Sequence, residues 1–200
     1  MPARDYQGRT RIACIGDSIT AGAGLNNPGE AAYPAVLGKL LGPAYDVRNF
    51  GVSGATLMKD GDHPYWNTPA YPDSFEFLPH VVVIALGTND SKPQNWRFRA
   101  AFERDLYAMV RAYEGLPSLP IVYLCLPPPV FQDHWGINEA VVGRQVLPRI
   151  RIFAARELLP VIDLHRALEG RPEMFPDGVH PNATGAASIA SSIEAALRGL

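Results

Sequence analysis

The run Val81-Val82-Val83-Ile84-Ala85-Leu86 constrains this chain more than any other stretch. It is rich in β-branched residues, nothing polar interrupts it, and Gly87 closes it. A strand with one wet face alternates polar and apolar residues. A run without alternation is covered on both faces, as in a parallel sheet sandwiched by helices. Parallel neighbours also need long crossover connections, so helices must alternate with strands. The chain follows that rhythm. Apolar runs at 12–15, 46–50, 121–126 and 161–164 read as the other strands, five in all. Residues 33–42 read as a helix that starts near Pro34 and stops at Gly42. Phe98, Phe102, Leu106, Met109 and Tyr113 step by three or four, with charged residues between them. Residues 138–158 read as a helix that Pro148 should kink or split. A last helix runs from about Thr184, with Ile189, Ile193 and Leu197 on its core face. The expected fold is a doubly wound, three-layer α/β/α sandwich on a five-stranded parallel sheet, covering residues 1–200 as one domain. Ligands of such folds bind beyond the carboxyl ends of the strands.

Composition narrows the functional classes. The net charge of −2 provides no clustered positive surface for a phosphate backbone, which argues against nucleic acid as a partner. No apolar run is long enough to span a membrane. The polar start Met1-Pro2-Ala3-Arg4-Asp5-Tyr6 has no leader core. The expected location is cytoplasmic if Met1 is the native start, or secreted or periplasmic if a leader was removed. The two cysteines, Cys14 and Cys125, sit inside strand-like runs and read as buried free thiols; no metal-ligand spacing involves them.

The chemistry gathers at the strand ends. Ile15-Gly16-Asp17-Ser18-Ile19-Thr20 ends the first strand abruptly and places Ser18 at the start of a helix, where backbone N–H groups converge. A serine nucleophile needs a base, a group that orients the base, and donors for the oxyanion. Of five histidines, His180 lies in Pro176-Asp177-Gly178-Val179-His180-Pro181, at the same sheet edge as Ser18. Asp177 precedes it by a spacing that lets a tight turn bring carboxylate to imidazole. Gly51 in Phe50-Gly51-Val52-Ser53-Gly54 offers an amide, and Asn89 in Gly87-Thr88-Asn89-Asp90 a side-chain amide. Taken singly, each is also an ordinary glycine-rich turn or structural asparagine. Two long segments, 57–80 and 127–136, leave strand ends without clear periodicity and should overhang the site. Their aromatics, with neighbouring Trp96, either line a cleft or pin the loops.

Four blocks occur in order: Gly-Asp-Ser-Ile-Thr at 16–20, Asn-Phe-Gly-Val-Ser-Gly at 49–54, Gly-Thr-Asn-Asp at 87–90 and Asp-Gly-Val-His-Pro at 177–181. Together they resemble the SGNH (GDSL) hydrolase family of serine esterases and lipases, whose sandwich is flavodoxin-like. The resemblance implies Ser18, Asp177 and His180 as catalytic residues, and Ser18, Gly51 and Asn89 as oxyanion donors. It also implies a small-molecule ester as substrate and neither metal nor organic cofactor. Gly-Thr-Asn-Asp looks more like branches that cleave acetyl or carbohydrate O-acyl esters. Asp17, Tyr65, Trp66, Trp96, Phe131, Trp135 and Val179 are the substrate-binding candidates, although Asp17 also reads as a cap of the turn and Trp96 as a helix staple. Arylesterase, thioesterase or lysophospholipase activity, and a non-catalytic carbohydrate-binding role, remain as alternatives. Monomer and homo-oligomer are both open.

Overall fold

A computed structural model describes residues 8–198. The polar segment Met1–Tyr6, read above for the absence of a leader, lies outside the described residues. Five strands, β1 (Thr10–Gly16), β2 (Tyr45–Gly51), β3 (Val81–Ala85), β4 (Ile121–Leu126) and β5 (Val161–Asp163), form one sheet. The spatial order is β2-β1-β3-β4-β5, and every pairing is parallel. The order reverses at β1, whose neighbours are β2 on one side and β3 on the other. The crevice beyond the carboxyl ends of β1 and β3 is therefore the switch point at which doubly wound folds bind ligands.

Side chains alternate across the pleat and divide the core into two layers. Ile12, Cys14, Val83, Tyr123, Cys125 and Ile162 face helices Tyr33–Leu41 and Ala183–Arg198. Ala13, Ile15, Val82, Ile84, Val122 and Leu124 face helices Phe102–Glu114 and Leu147–Glu157. Both cysteines are buried and free. Burial pushes the Cys14 thiol up to about 12 and the Cys125 thiol up as well, so neither is a thiolate nucleophile. Among the described residues no helix is long and apolar enough to cross a membrane.

Three elements differ from the sequence reading. Segment 57–80 is not structureless: it holds a turn of 3-10 helix at Tyr65–Asn67 and an α-helix at Ala70–Glu76. The helix is held by tertiary packing, since Tyr71 and Phe75 stack against Tyr113 of helix Phe102–Glu114, at ring-centroid distances of 6.4 and 4.8 Å. The helix over 138–158 is interrupted ahead of Pro148. Residues Val142–Val146 widen into a π-turn, in which the Leu147 N–H reaches back to Val142 O. Pro148 then falls in the first turn of Leu147–Glu157, where a missing N–H costs little. Finally, β5 stops at Asp163, whose carboxylate accepts the Arg166 N–H at 3.0 Å and caps the turn Leu164–Ala167.

Candidate active site

The Ser18 turn rests directly on two strand ends. A Cβ at Gly16 would lie 2.0 Å from Thr20 Oγ1 and 2.9 Å from Ala85 O. One at Gly51, its register partner on β2, would lie 2.2 Å from Ala21 N. Only glycine at both positions lets the turn Ser18–Ala21 sit this low over the sheet. Asp17 Oδ1 accepts the Ile19 N–H at 3.0 Å and caps the turn.

The turn after Met174 brings an imidazole and a carboxylate to Ser18. His180 Nε2 lies 2.8 Å from Ser18 Oγ, and His180 Nδ1 lies 2.8 Å from Asp177 Oδ2. The second carboxylate oxygen, Asp177 Oδ1, accepts the Val179 and His180 N–H groups at 2.9 and 2.7 Å. The spacing of Asp177 and His180 thus corresponds to one closed turn. Partial burial raises the Asp177 carboxyl, but the His180 and Val179 amides and the His180 ring outweigh it and hold it below its ordinary value. It is therefore an anion at neutral pH, suited to orienting an imidazole and stabilising its protonated form. Gly178 lies at φ +81°, with Gln132 Cβ 2.5 Å from where its own Cβ would be. There the loop 127–136 is tied to the histidine turn, the Phe131 N–H donating to Gly178 O at 2.8 Å.

Asn89 stands at the end of β3, in a 3-10 turn over Asn89–Ser91, and is 3% exposed. Its Nδ2 donates one hydrogen to Ala55 O at 3.2 Å, which leaves the other. Next to it, the Asp90 carboxylate accepts the Leu57 and Met58 N–H groups at 2.9 and 2.8 Å, pinning the chain after β2 beside the end of β3. Burial drives Asp90 up to about 7 and Asp17 up to about 6, against the amides that hydrogen-bond each. Asp17 Oδ2 is fully buried beside Thr88 but makes no proper hydrogen bond.

The structure alters the expected oxyanion set. The Gly51 N–H donates to Asn49 Oδ1 at 2.8 Å and is not free to receive an oxyanion. Its glycine is required by the packing of the Ser18–Ala21 backbone against it. Gly54, three residues on, is the glycine that sequence reasoning passed over. It lies at φ +81° in the turn that the Ala55 N–H closes onto Val52 O, the same Ala55 whose carbonyl holds Asn89. Neither the Gly54 nor the Ser18 N–H donates to another described residue. The second glycine of the 49–54 block carried the signal, but only the Asn49 side chain separates the two.

The substrate-binding candidates separate likewise. Tyr65 is fully buried, its hydroxyl donating to Phe50 O at 2.7 Å, so it braces β2 and faces no cleft. Val179 is also in the core and contributes its amide to Asp177. Trp66 packs on Tyr71 under Lys59, its Nε1–H donating to Leu57 O at 2.8 Å. Phe131 packs on Phe175, with centroids 5.2 Å apart. Trp96 is buried against Phe102, and its Nε1–H donates to Gln145 Oε1 at 2.8 Å. Trp135 alone of the tryptophans stands in the open, 52% exposed, its ring centroid 5.1 Å from that of His180. It lies at φ +51°, an uncommon conformation for a large side chain, and stacks flat on His134 at 3.7 Å. His134 was not among the expected site residues; a loop histidine carries no signal until its neighbour's ring is placed. Among the described residues no three His, Cys, Asp or Glu side chains gather as metal ligands.

Known proteins resemble this chain in sequence and in fold. The model of the GDSL-like lipase/acylhydrolase family matches residues 14–187. A curated acetylxylan esterase of Xylanibacter ruminicola is 40% identical over 206 residues, covering 94% of this chain. The chain spans 43% of that relative's length. Among solved structures, a carbohydrate acetylesterase from Sinorhizobium meliloti superposes with a TM-score of 0.77 at 19% identity, covering 96% of this chain and 99% of the other. The aryl esterase of M. smegmatis superposes at 0.73 with 20% identity, covering 96% and 99%. At those identities the two superpositions show a shared fold.

Proposed function

The chain belongs to the GDSL-like lipase/acylhydrolase family, and on that footing we propose that it is a serine esterase that removes short acyl groups, acetyl foremost, from carbohydrates. The observation that carries this reading is the unbroken chain Ser18 Oγ–His180 Nε2–His180 Nδ1–Asp177 Oδ2, with both hydrogen bonds at 2.8 Å. His180 Nε2 takes the Ser18 proton as Oγ attacks the ester carbonyl, and Asp177 holds the ring in the tautomer that leaves Nε2 free to accept. The charge developing on the carbonyl oxygen is received by the Ser18 and Gly54 N–H groups and the second Nδ2 hydrogen of Asn89. Collapse of the tetrahedral adduct breaks the C–O bond to the alcohol, which leaves with the proton held by His180. Water, deprotonated by the same nitrogen, then attacks the acyl-serine and releases the acid. The carbohydrate part rests on Trp135, whose exposed indole beside His180 offers a flat apolar face to a sugar ring, and on the acetylxylan esterase relative.

Ser18→Ala is expected to abolish hydrolysis of p-nitrophenyl acetate and labelling by a fluorophosphonate; retention of either sinks the scheme. In the native protein, rate against acyl chain length separates a deacetylase, which collapses beyond a few carbons, from a lysophospholipase or a broad thioesterase. Acetylated xylo-oligosaccharides set beside phenyl acetate separate the carbohydrate reading from an arylesterase.

A further inference from the structure

A cavity of about 390 Å³ opens beside the turn Asn89–Ser91. It is lined by Ser91, Pro93, Trp96, Arg97, Arg99 and Asn138, among others. Two contacts tie it to the carboxyl edge of the sheet. The Asn138 N–H donates to Ser91 Oγ at 3.1 Å, two residues from Asn89. Gly136, next to Trp135, lies against Pro93, whose Cδ would be 3.7 Å from a Cβ built there. The cavity thus borders both the turn that carries Asn89 and the loop that carries Trp135.

The lining specifies the chemistry that fits the cavity. Arg97 and Arg99 are exposed, and neither is ion-paired with a carboxylate of the described residues. The Arg97 guanidinium lies over the Phe98 ring at 4.5 Å, and that of Arg149 lies 5.3 Å from the centroid of Trp96. The acid beside the cavity wall, Asp133, is already engaged by Asn138 Nδ2 at 2.9 Å and the Glu139 N–H at 3.2 Å. Two unpaired guanidiniums at an aromatic-floored hollow, in a chain with net charge −2, form a local positive site whose fork geometry matches a carboxylate. We infer that this cavity is a subsite for a carboxylate-bearing sugar, a hexuronate, on the glycan whose ester the Ser18 site cleaves. The inference rests on the esterase reading above.

The test compares acetylated xylo-oligosaccharides bearing a hexuronic acid branch with the same oligosaccharides after reduction of the carboxyl to the alcohol. The native protein is expected to show a KM for the acidic substrate roughly 3- to 5-fold lower, the scale of an exposed ion pair, and added salt should erase the difference. Arg97→Ala/Arg99→Ala should lose the preference while turning over p-nitrophenyl acetate at the native rate, and Arg97→Lys/Arg99→Lys should keep part of it. Equal KM values for the two substrates in the native protein overturn the inference, as does a preference that survives Arg97→Ala/Arg99→Ala. Should the double variant fail to fold, free glucuronate against glucose, followed by the Trp96 indole N–H resonance of the native protein, decides the matter: equal perturbation by both overturns it. Failure of the esterase reading would register separately, as no turnover of p-nitrophenyl acetate.

Discussion

Asn89 and Asp17 are held in place in different ways, and each is open to a single-residue test. Asn89→Ala removes a side chain with one hydrogen on Ala55 O and one free. It should lower kcat by roughly 10²–10³, the effect of losing one oxyanion donor; p-nitrophenyl acetate kinetics read it directly, and a change under about twofold would take Asn89 out of the hole. Asp17 caps the turn through one oxygen while the other is buried and makes no proper hydrogen bond. Burial raises its carboxyl from 3.8 to about 6, so the folded state holds the proton more tightly than the unfolded chain does. Stability is accordingly lost as pH rises from about 4 to about 6. Asp17→Asn keeps the capping oxygen and removes the ionisation. Melting temperatures measured from pH 4 to 7 should show the variant gaining on the native protein as pH rises, whereas a constant difference would mean that Asp17 does not titrate there. The meeting of Ser18, Asp177 and His180 was legible because each occupies a short motif whose local turn does the positioning. Gly54 was not, because the engagement of Gly51 by Asn49 is a side-chain contact that no spacing encodes.

At the level of elements, the loop that carries His134 and Trp135 is held from outside. Glu139 Oε2 accepts the Val130 N–H at 2.7 Å, and Glu139 Oε1 lies 2.9 Å from His165 Nε2 on the turn after β5. The hydrogen bond to Glu139 raises the His165 imidazole; burial opposes it, and the charges of Glu139, Asp163 and Glu169 assist. Glu139→Ala should therefore lower the pH at which His165 titrates, followed by its ring resonances, and speed exchange of the Val130 amide roughly tenfold or more, the effect of losing a hydrogen bond to a charged acceptor. If neither moves, the loop is fixed by something else. Helix Ala70–Glu76 makes the same point about legibility. Its own residues, with prolines at 69 and 72, show no period, and it exists because Tyr71 and Phe75 find Tyr113. The π-turn before Pro148 was half legible, the break being expected from proline chemistry and its position set by packing.

Across the whole molecule, the two apolar layers carry the stability that keeps four separate strand ends in register. Phe102 is fully buried in one layer, against Trp96. Phe102→Ala should cost about 3–5 kcal/mol, read as a lowered midpoint in denaturant unfolding; a loss below 1 kcal/mol would mean that the cavity refills. The sequence by itself determined the parallel sheet, because an unbroken apolar run such as 81–86 has no stable place except between two helical layers. It also brought Ser18 to the end of β1 and Asp177 and His180 into one turn after β5, because chain connectivity holds each motif there. The tertiary structure alone decided which glycine amide of the 49–54 block is engaged by Asn49, which aromatic faces solvent, and where two arginines are left without carboxylate partners. Those outcomes depend on contacts between residues far apart in the chain, where a single hydrogen bond or a ring packed into the core reassigns a group that local pattern leaves undetermined.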